Sequence, residues 1–217
     1  MGHSKKYVEF IENIQKSNHI THLDADTYFG KGSLNAAKRG VGANISAVNA
    51  VMSGDFNNAF SAIRPPGHHA ETEKAMGFCI FGNVAIAAKY AIENHKLKRV
   101  AVVDFDVHHG NGTQEILWDD PNVLFVSTHQ MPLWPGSGTH EEHGKHQNIL
   151  NIPIQANTDG PAFRQKFDEI ILPRLDSYKP EILIISAGFD AHYNDPLANI
   201  ELMTEDYEWM THRLCDI

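Results

Sequence analysis

The amino-acid sequence predicts an α/β protein built as three layers, with helices on both faces of a mainly parallel central sheet. Two apolar runs, residues 100–103 and most of 181–187, have the composition of strands that are buried on both faces. Helical patterns alternate with these runs and with other strand candidates, which is typical of βαβ units. No internal repeat or linker interrupts the 217 residues, so we expect one domain covering residues 1–217.

The first predicted element is a short amphipathic helix. Residues 7–16 carry apolar side chains at helical spacing behind Ser4, a suitable capping residue. Residues 19–32 are expected to form a loop. Within it, Asp24 and Asp26 either border a site or are simply solvated, and ordinary surface statistics favour the second interpretation.

Two longer helices are predicted on either side of a proline-rich segment. Ser33 is the expected N-cap of a helix that ends near Gly54. A short strand is predicted at 59–63, directly before the prolines. Asn83 is then expected to cap an alanine-rich helix that ends near His95.

Helix and strand signals alternate from the first apolar run to the end of the chain. Pro161 suits the first turn of a helix, and Pro173 is expected to interrupt or kink that helix. The predicted elements are a helix at 114–118, strands at 123–128 and 148–153, a helix at 161–178, the apolar strand at 181–187 and a last helix capped by Thr204.

Composition restricts the partners and the compartment. The formal net charge is −9 and basic residues do not cluster, so we expect no direct contact with nucleic acid and a cationic or neutral ligand instead. Two distant cysteines make no disulfide framework, which favours a reducing compartment. No apolar run is long enough for a membrane span or a signal peptide, so we expect a cytoplasmic protein with no membrane contact. The sequence leaves open whether the chain forms oligomers.

Charged side chains follow the first apolar run directly. Asp104, Asp106 and His108 alternate along the chain, so in an extended backbone they leave on one face. Asp190 follows the second apolar strand, and ligands of parallel sheets bind beyond the carboxyl ends of the strands. Two carboxylates and one imidazole suit a catalytic divalent ion, Zn²⁺ first. The alternative is that these residues are caps and turn residues, but uncompensated charge at buried strand ends is costly.

A pair of histidines stands on a stiff support. His68 and His69 follow Arg-Pro-Pro-Gly, in which the prolines restrict the backbone. Imidazoles titrate near neutral pH, so this pair is a candidate for proton transfer, although paired surface histidines without a task are common. Asp104 and Asn111 are the candidates for fixing the tautomers of the two rings.

Four motifs together resemble the zinc-dependent histone deacetylase family. The similarity is closest to its class II members and to bacterial histone deacetylase-like amidohydrolases, and it extends from Tyr7 to the C-terminus. The motifs are Pro-Pro-Gly-His-His-Ala at 65–70, Gly-Phe-Cys at 77–79, Asp-Phe-Asp-Val-His-His-Gly-Asn-Gly-Thr-Gln at 104–114 and Ser-Ala-Gly-Phe-Asp at 186–190.

The resemblance implies an arginase/deacetylase fold and removal of an acetyl or related acyl group from an amine, such as acetyl-lysine in a protein or an acetylated polyamine. It implies one catalytic Zn²⁺ per chain. Asp106, His108 and Asp190 match the zinc ligands of the family. His69 matches the general base that later acts as the acid, and His68 is its electrostatic partner. Asp104 matches the acid that bonds to His68, and Asn111 stands behind His69.

The resemblance also implies a substrate tunnel and a structural K⁺ site. Gly77 and Phe78 match one tunnel wall, Trp134 the opposite wall and Leu197 the rim. The implied potassium ligands are the backbone carbonyls of Asp104, Asp106, His108 and Thr128, with the hydroxyl of Ser127.

One expected feature of the family does not match. A glycine-rich segment ending in a tyrosine or histidine is expected after the last zinc ligand, and we do not assign that role to Tyr193. The family's opening strand and its loop are also missing at the N-terminus, so we expect a domain that is truncated at both ends. Two alternatives stay open: an arginase-type amidino hydrolase with two metal ions, disfavoured by Gly188, and a catalytically weak protein that only binds zinc or an acylated ligand.

Overall fold

The backbone forms two units, each with its own core. In the computed structural model, which describes residues 1–16 and 19–217, the helical unit comprises Met1–Leu97 and Asn111–Trp118. The sheet unit comprises Lys98–Gly110 and Asp119–Ile217. No helix in the described part of the chain is long and apolar enough to cross a bilayer.

The helical unit begins as the sequence predicts. Helix α1 (Lys5–Ile14) has Ser4 as its N-cap, and the Ser4 hydroxyl accepts a hydrogen bond from Tyr7 N. The helix buries Tyr7 and Ile11, and the Tyr7 hydroxyl donates to Ile80 O over 2.7 Å. The other elements of this unit are β1 (Thr21–His22), β2 (Tyr28–Phe29), α2 (Ser33–Met52), α3 (Asn83–His95) and α4 (Asn111–Leu117).

Several local predictions for the helical unit were wrong. The segment 19–32, expected to be a loop, contains the antiparallel pair β1 and β2. The strand expected at 59–63 is absent from the described structure, because no neighbouring strand pairs with it and Phe60 is exposed. Gly32 and Gly82 are the N-caps, not Ser33 and Asn83.

The side chains of the two expected caps serve other purposes. The Ser33 hydroxyl accepts from Gly30 N in the preceding turn. The Asn83 amide is buried and donates to Pro65 O, which ties α3 to the proline-rich segment. A polar side chain at the start of a helix can form a hydrogen bond with the backbone of its own helix or with the backbone of a neighbouring loop. The sequence does not distinguish these two arrangements.

The sheet unit is organised around four parallel strands. They are β3 (Val100–Asp104), β4 (Val123–Gln130), β5 (Ile149–Ile154) and β6 (Ile182–Ser186), in the spatial order β5-β4-β3-β6. Strands β3 and β4 are buried along their whole length. In the register of the sheet, Asp104 lies opposite Ser127 on one side and Ser186 on the other. The carboxyl ends of β3 and β6 are therefore neighbours, as predicted.

A helical layer packs against this sheet, and the helix predicted at 161–178 is interrupted just before Pro173, as one of the two predicted outcomes. Helix α5 (Gly160–Lys166) has Asp159 as its N-cap, and a π-helical turn (Phe167–Ile171) joins it to α6 (Leu172–Tyr178). Pro173 has no N–H to donate to the carbonyl four residues earlier, so the backbone widens in the turn before it. The last helix, α7 (Thr204–Cys215), is capped at Met203 and not at Thr204; the Asp206 carboxylate accepts from Met203 N.

The π-helical turn offers a matched test of packing. Ile171 is 0% exposed and belongs to the core of the sheet unit, whereas its neighbour Ile170 is 40% exposed. Ile171→Ala is expected to lower the free energy of unfolding by about 2–5 kcal/mol, because it removes buried methyl groups and leaves a cavity. Ile170→Ala should cost less than half as much. Denaturant unfolding of both variants measures the difference, and equal losses would contradict the assignment of Ile171 to the core.

Candidate functional site

Two carboxylates and one imidazole converge at the carboxyl ends of β3 and β6. His108 Nδ1 lies 3.1 Å from Asp106 Oδ1 and 2.8 Å from Asp190 Oδ2. One ligand atom from each of the three residues lies within 4.8 Å of the others. The structure thus brings together the three residues that the sequence predicts as metal ligands.

The backbone explanation for this convergence differs from the prediction. Strand β3 ends at Asp104, so the alternating extended chain does not continue to His108. The next residues form bends, and carboxylates hold these bends by accepting backbone hydrogen bonds. The bonds run from Asp106 N to Asp104 Oδ1 (3.1 Å), from His108 N to Asp106 Oδ1 (2.8 Å) and from Val107 N to Asp190 Oδ1 (2.9 Å).

The electrostatics of this cluster favour a cation. Burial lowers the pKa of His108, but hydrogen bonds to Asp106 and Asp190 and their negative charges outweigh burial and raise that pKa to about 10. The two partly buried carboxylates therefore stabilise a positive charge on the His108 ring. A divalent ion would neutralise the same two carboxylates, and His108 Nδ1 would bind that ion with the lone pair that otherwise binds a proton. This set of one nitrogen and two oxygen ligands fits Zn²⁺.

Gly188 lies just after β6, two residues before Asp190, and this position has no space for a second acidic side chain. A Cβ atom at Gly188 would overlap Asp106 Oδ2, so no side chain fits there while Asp106 keeps its position. An additional carboxylate two residues before Asp190, which a second metal ion would need, is therefore excluded sterically.

This contact leads to a testable expectation for metal binding. Gly188→Ala should displace the Asp106 carboxylate and reduce the zinc content of the purified protein, measured by elemental mass spectrometry. Gly42→Ala is the matched control, because a Cβ at Gly42 has no atom within 4 Å. Full zinc occupancy in Gly188→Ala would show that the crowding does not position Asp106.

The predicted histidine pair is buried in the helical unit. The rings of His68 and His69 have centroids 3.8 Å apart and planes inclined by 42°. Thr113 N donates to His68 O, and His69 N donates to Cys79 Sγ. A Cβ at Gly67 would come within 2.6 Å of Asn83 N, so the close approach of this segment to the start of α3 requires glycine.

Asn111 lies behind His69, as predicted, and it leads to a residue that the sequence did not reveal. Asn111 Oδ1 is 2.8 Å from His69 Nδ1. On its other side, Asn111 Nδ2 donates to Glu71 Oε1 over 2.8 Å and contacts Met76 Sδ at 3.5 Å. The only sequence signal for Glu71 is that it directly follows the Pro-Pro-Gly-His-His-Ala motif.

Comparison with known proteins identifies the family of this chain. Residues 1–217 match the family described as "Histone deacetylase domain". The chain belongs to this family. It is 41% identical over 214 residues to "Probable deacetylase" of Archaeoglobus fulgidus and 40% identical over 199 residues to "Histone deacetylase-like amidohydrolase" of Pseudomonas aeruginosa. A solved structure, "Crystal Structure of HDA15 HD domain", is similar with a TM-score of 0.95 and 34% identity over 100% of this chain.

The matched region is only part of each relative. This chain covers 59% of the archaeal deacetylase, 52% of the bacterial amidohydrolase and 64% of the chain in the solved structure. The chain thus spans between about half and two thirds of the length of these histone deacetylase relatives. The family and the α/β fold are confirmed.

Three of the four predicted tunnel residues of this deacetylase domain, Phe78, Trp134 and Leu197, have exposed apolar side chains, whereas Gly77 is buried. Gly77 and Phe78 form a reverse turn with positive φ angles, 55° and 65°, between the bridged residues Met76 and Cys79. Phe78 N donates to Thr27 Oγ1, which holds the turn, and the Phe78 ring is exposed. In the sheet unit, exposed Trp134 makes an edge contact with His108 at 6.1 Å, and Leu197 is exposed. Their roles in a tunnel stay predictions, as does the bond between Asp104 and His68.

Three of the five predicted potassium ligands, Asp104, Ser127 and Thr128, lie on the neighbouring strands β3 and β4. Ser127 and Thr128 are buried, and Thr128 Oγ1 donates to Asp104 O over 3.5 Å. His129 Nε2 donates to Gly138 O, so its Nδ1 accepts from the Ser127 hydroxyl (2.9 Å). Burial, with a smaller contribution from His109, lowers the pKa of His129 to about 4. Because the Ser127 hydroxyl donates its hydrogen to His129, the lone pairs of its oxygen stay available to a cation. The identity of that cation as K⁺ stays a prediction.

Proposed function

We propose that this protein is a zinc-dependent hydrolase that removes acetyl or a related acyl group from an amine, such as acetyl-lysine in a protein or an acetylated polyamine. The observation that carries the proposal is the cluster of Asp106, His108 and Asp190 at the ends of two neighbouring strands of a histone deacetylase domain. The reaction consumes one water and yields a carboxylic acid and the free amine.

Each residue has a distinct part in the proposed reaction. Asp106, His108 and Asp190 would hold the zinc ion, which supplies Lewis-acid polarisation of the acyl carbonyl and the attacking water. His69 accepts a proton from that water at Nε2, because its Nδ1 faces the Asn111 amide oxygen. His69 then returns the proton to the departing amine. The exposed rings of Phe78 and Trp134 each offer apolar surface that suits a neutral alkyl chain.

The arginase-type alternative needs two metal ions. It is disfavoured because a carboxylate at position 188 would overlap Asp106 Oδ2. The other alternative, a protein that binds zinc or an acylated ligand without turning it over, has the same metal cluster. Only a measurement of turnover distinguishes it from an enzyme.

The test combines metal analysis with a panel of acylated amines. The purified protein is assayed for zinc and manganese and then for hydrolysis of an acetyl-lysine peptide, an acetylated polyamine and smaller acylated amines. We expect one zinc per chain, and turnover that a chelator removes and added zinc restores. Two manganese ions per chain would support the arginase-type reaction. Stoichiometric zinc without hydrolysis of any panel member would support a binding role.

A further inference from the structure

We propose that Glu71 is a positioning residue that sets the tautomer of His69 through the side-chain amide of Asn111. The inference deepens the proposed function and rests on it for its catalytic consequence. The contacts themselves lie entirely within the helical unit. They run from Glu71 Oε1 to Asn111 Nδ2 and from Asn111 Oδ1 to His69 Nδ1, each over 2.8 Å.

The chemistry of the groups determines the direction of each hydrogen bond. An ionised carboxylate only accepts, so Glu71 requires the donating NH₂ end of the Asn111 amide on its side. The amide oxygen then faces His69, and an amide oxygen also only accepts. The proton of the neutral imidazole is consequently placed on Nδ1, and the basic lone pair is on Nε2. An amide turned the other way would present a donor to Nδ1 and move the ring proton to Nε2, where the ring can no longer accept one.

Without Glu71, the surroundings of Asn111 determine its orientation weakly. Its NH₂ group also contacts Met76 Sδ at 3.5 Å, and a thioether is a weak acceptor. Asn111 is buried, so water has little access to replace a lost carboxylate. The charged acceptor is therefore the strongest determinant of the amide orientation.

The backbone around Glu71 is held in place for this contact. Glu71 N donates to Lys74 O over 2.9 Å, and Glu71 O accepts from His3 Nδ1 over 3.0 Å. A Cβ at Gly112, next to Asn111 in α4, would overlap Ala70 O, so the two segments approach as closely as a glycine allows. This fixed backbone brings Glu71 and Asn111, which are 40 positions apart, into contact.

The decisive measurement is the ¹⁵N NMR signal of the His69 imidazole in the zinc-loaded protein. The signal is identified by its absence in His69→Gln. We expect a protonated-type nitrogen at Nδ1 and an unprotonated-type nitrogen at Nε2. In Glu71→Ala the Nε2-protonated form should become populated, and kcat should fall about 10–100-fold with little change in KM. Glu73→Ala is the matched control, because Glu73 is an exposed acid in the same turn.

Two further variants separate orientation from folding. Glu71→Gln keeps an oxygen that can accept from Asn111 Nδ2, so it should retain the parental tautomer and most of the activity. Asn111→Asp presents an accepting oxygen to His69 Nδ1 in either orientation, so this variant alone should keep the parental tautomer. Added to Glu71→Ala, it should return the ring proton to Nδ1. This restoration would show that Glu71→Ala acts through the orientation of the amide, because the added carboxylate would not repair a general loss of stability.

The outcomes distinguish the positioning role from the proposed function. An unchanged His69 tautomer in Glu71→Ala would overturn the inference, whatever happens to kcat. An Nε2-protonated ring in the double variant Glu71→Ala/Asn111→Asp would overturn it as well. A shifted tautomer in a protein that hydrolyses no acylated amine in any form would uphold the positioning role and reject the proposed function.

Discussion

Asp190→Asn is expected to abolish both zinc binding and hydrolysis. The amide keeps an oxygen that can accept from Val107 N, so the bend after β3 should persist, while one of the two negative charges around His108 is lost. A neutral amide is a poor zinc ligand. The loss of turnover should exceed the roughly 10–100-fold that removal of an outer hydrogen-bond partner costs in metal sites.

Elemental mass spectrometry after dialysis measures the zinc content, and an acetyl-lysine reporter measures turnover. Asp195→Asn is the matched control, because Asp195 lies in the same loop and also accepts a backbone hydrogen bond, from Leu197 N. Circular dichroism establishes that both variants fold. One zinc per chain in Asp190→Asn, at parental affinity, would remove Asp190 from the metal site.

His69→Ala is expected to abolish hydrolysis and to leave the zinc content unchanged. His69 belongs to the helical unit, whereas the three proposed metal ligands belong to the sheet unit. Loss of a general base and acid costs about 10²–10⁴-fold in rate. The change should therefore appear in kcat, with zinc still at one ion per chain.

The comparison with an exposed histidine makes this prediction specific. His140→Ala removes an imidazole that is largely exposed and pairs with Glu141, and it should leave both zinc and turnover unchanged. Parental turnover in His69→Ala would refute the assigned role. Loss of zinc together with turnover would instead indicate that His69 contributes to metal binding. Taken with Asp190→Asn, the two variants separate metal binding from proton transfer.

The sequence predicts most elements of the fold because their signals are local. The strand at 100–103 is apolar throughout, the strand at 123–128 begins with four apolar residues, and both are buried in the structure. The errors at the helix starts occur where two neighbouring residues are both suitable N-caps. Gly32 and Gly82 begin helices at which Ser33 and Asn83 were equally suitable by composition. The π-helical turn before Pro173 is a further case, because the proline determines that the helix is disturbed and packing determines how.

From the sequence it was possible to predict which strands are buried and which charged residues follow them, and its motifs are specific enough to indicate the histone deacetylase family. Which of those side chains contact one another became known from the folded structure. It placed Asp190 2.8 Å from His108, made Gly188 a requirement for the position of Asp106, and brought Glu71 against Asn111. The physical reason is that periodicity and capping act over a few residues, whereas these contacts join residues 40 or more positions apart and depend on strand register and on the close approach of backbones.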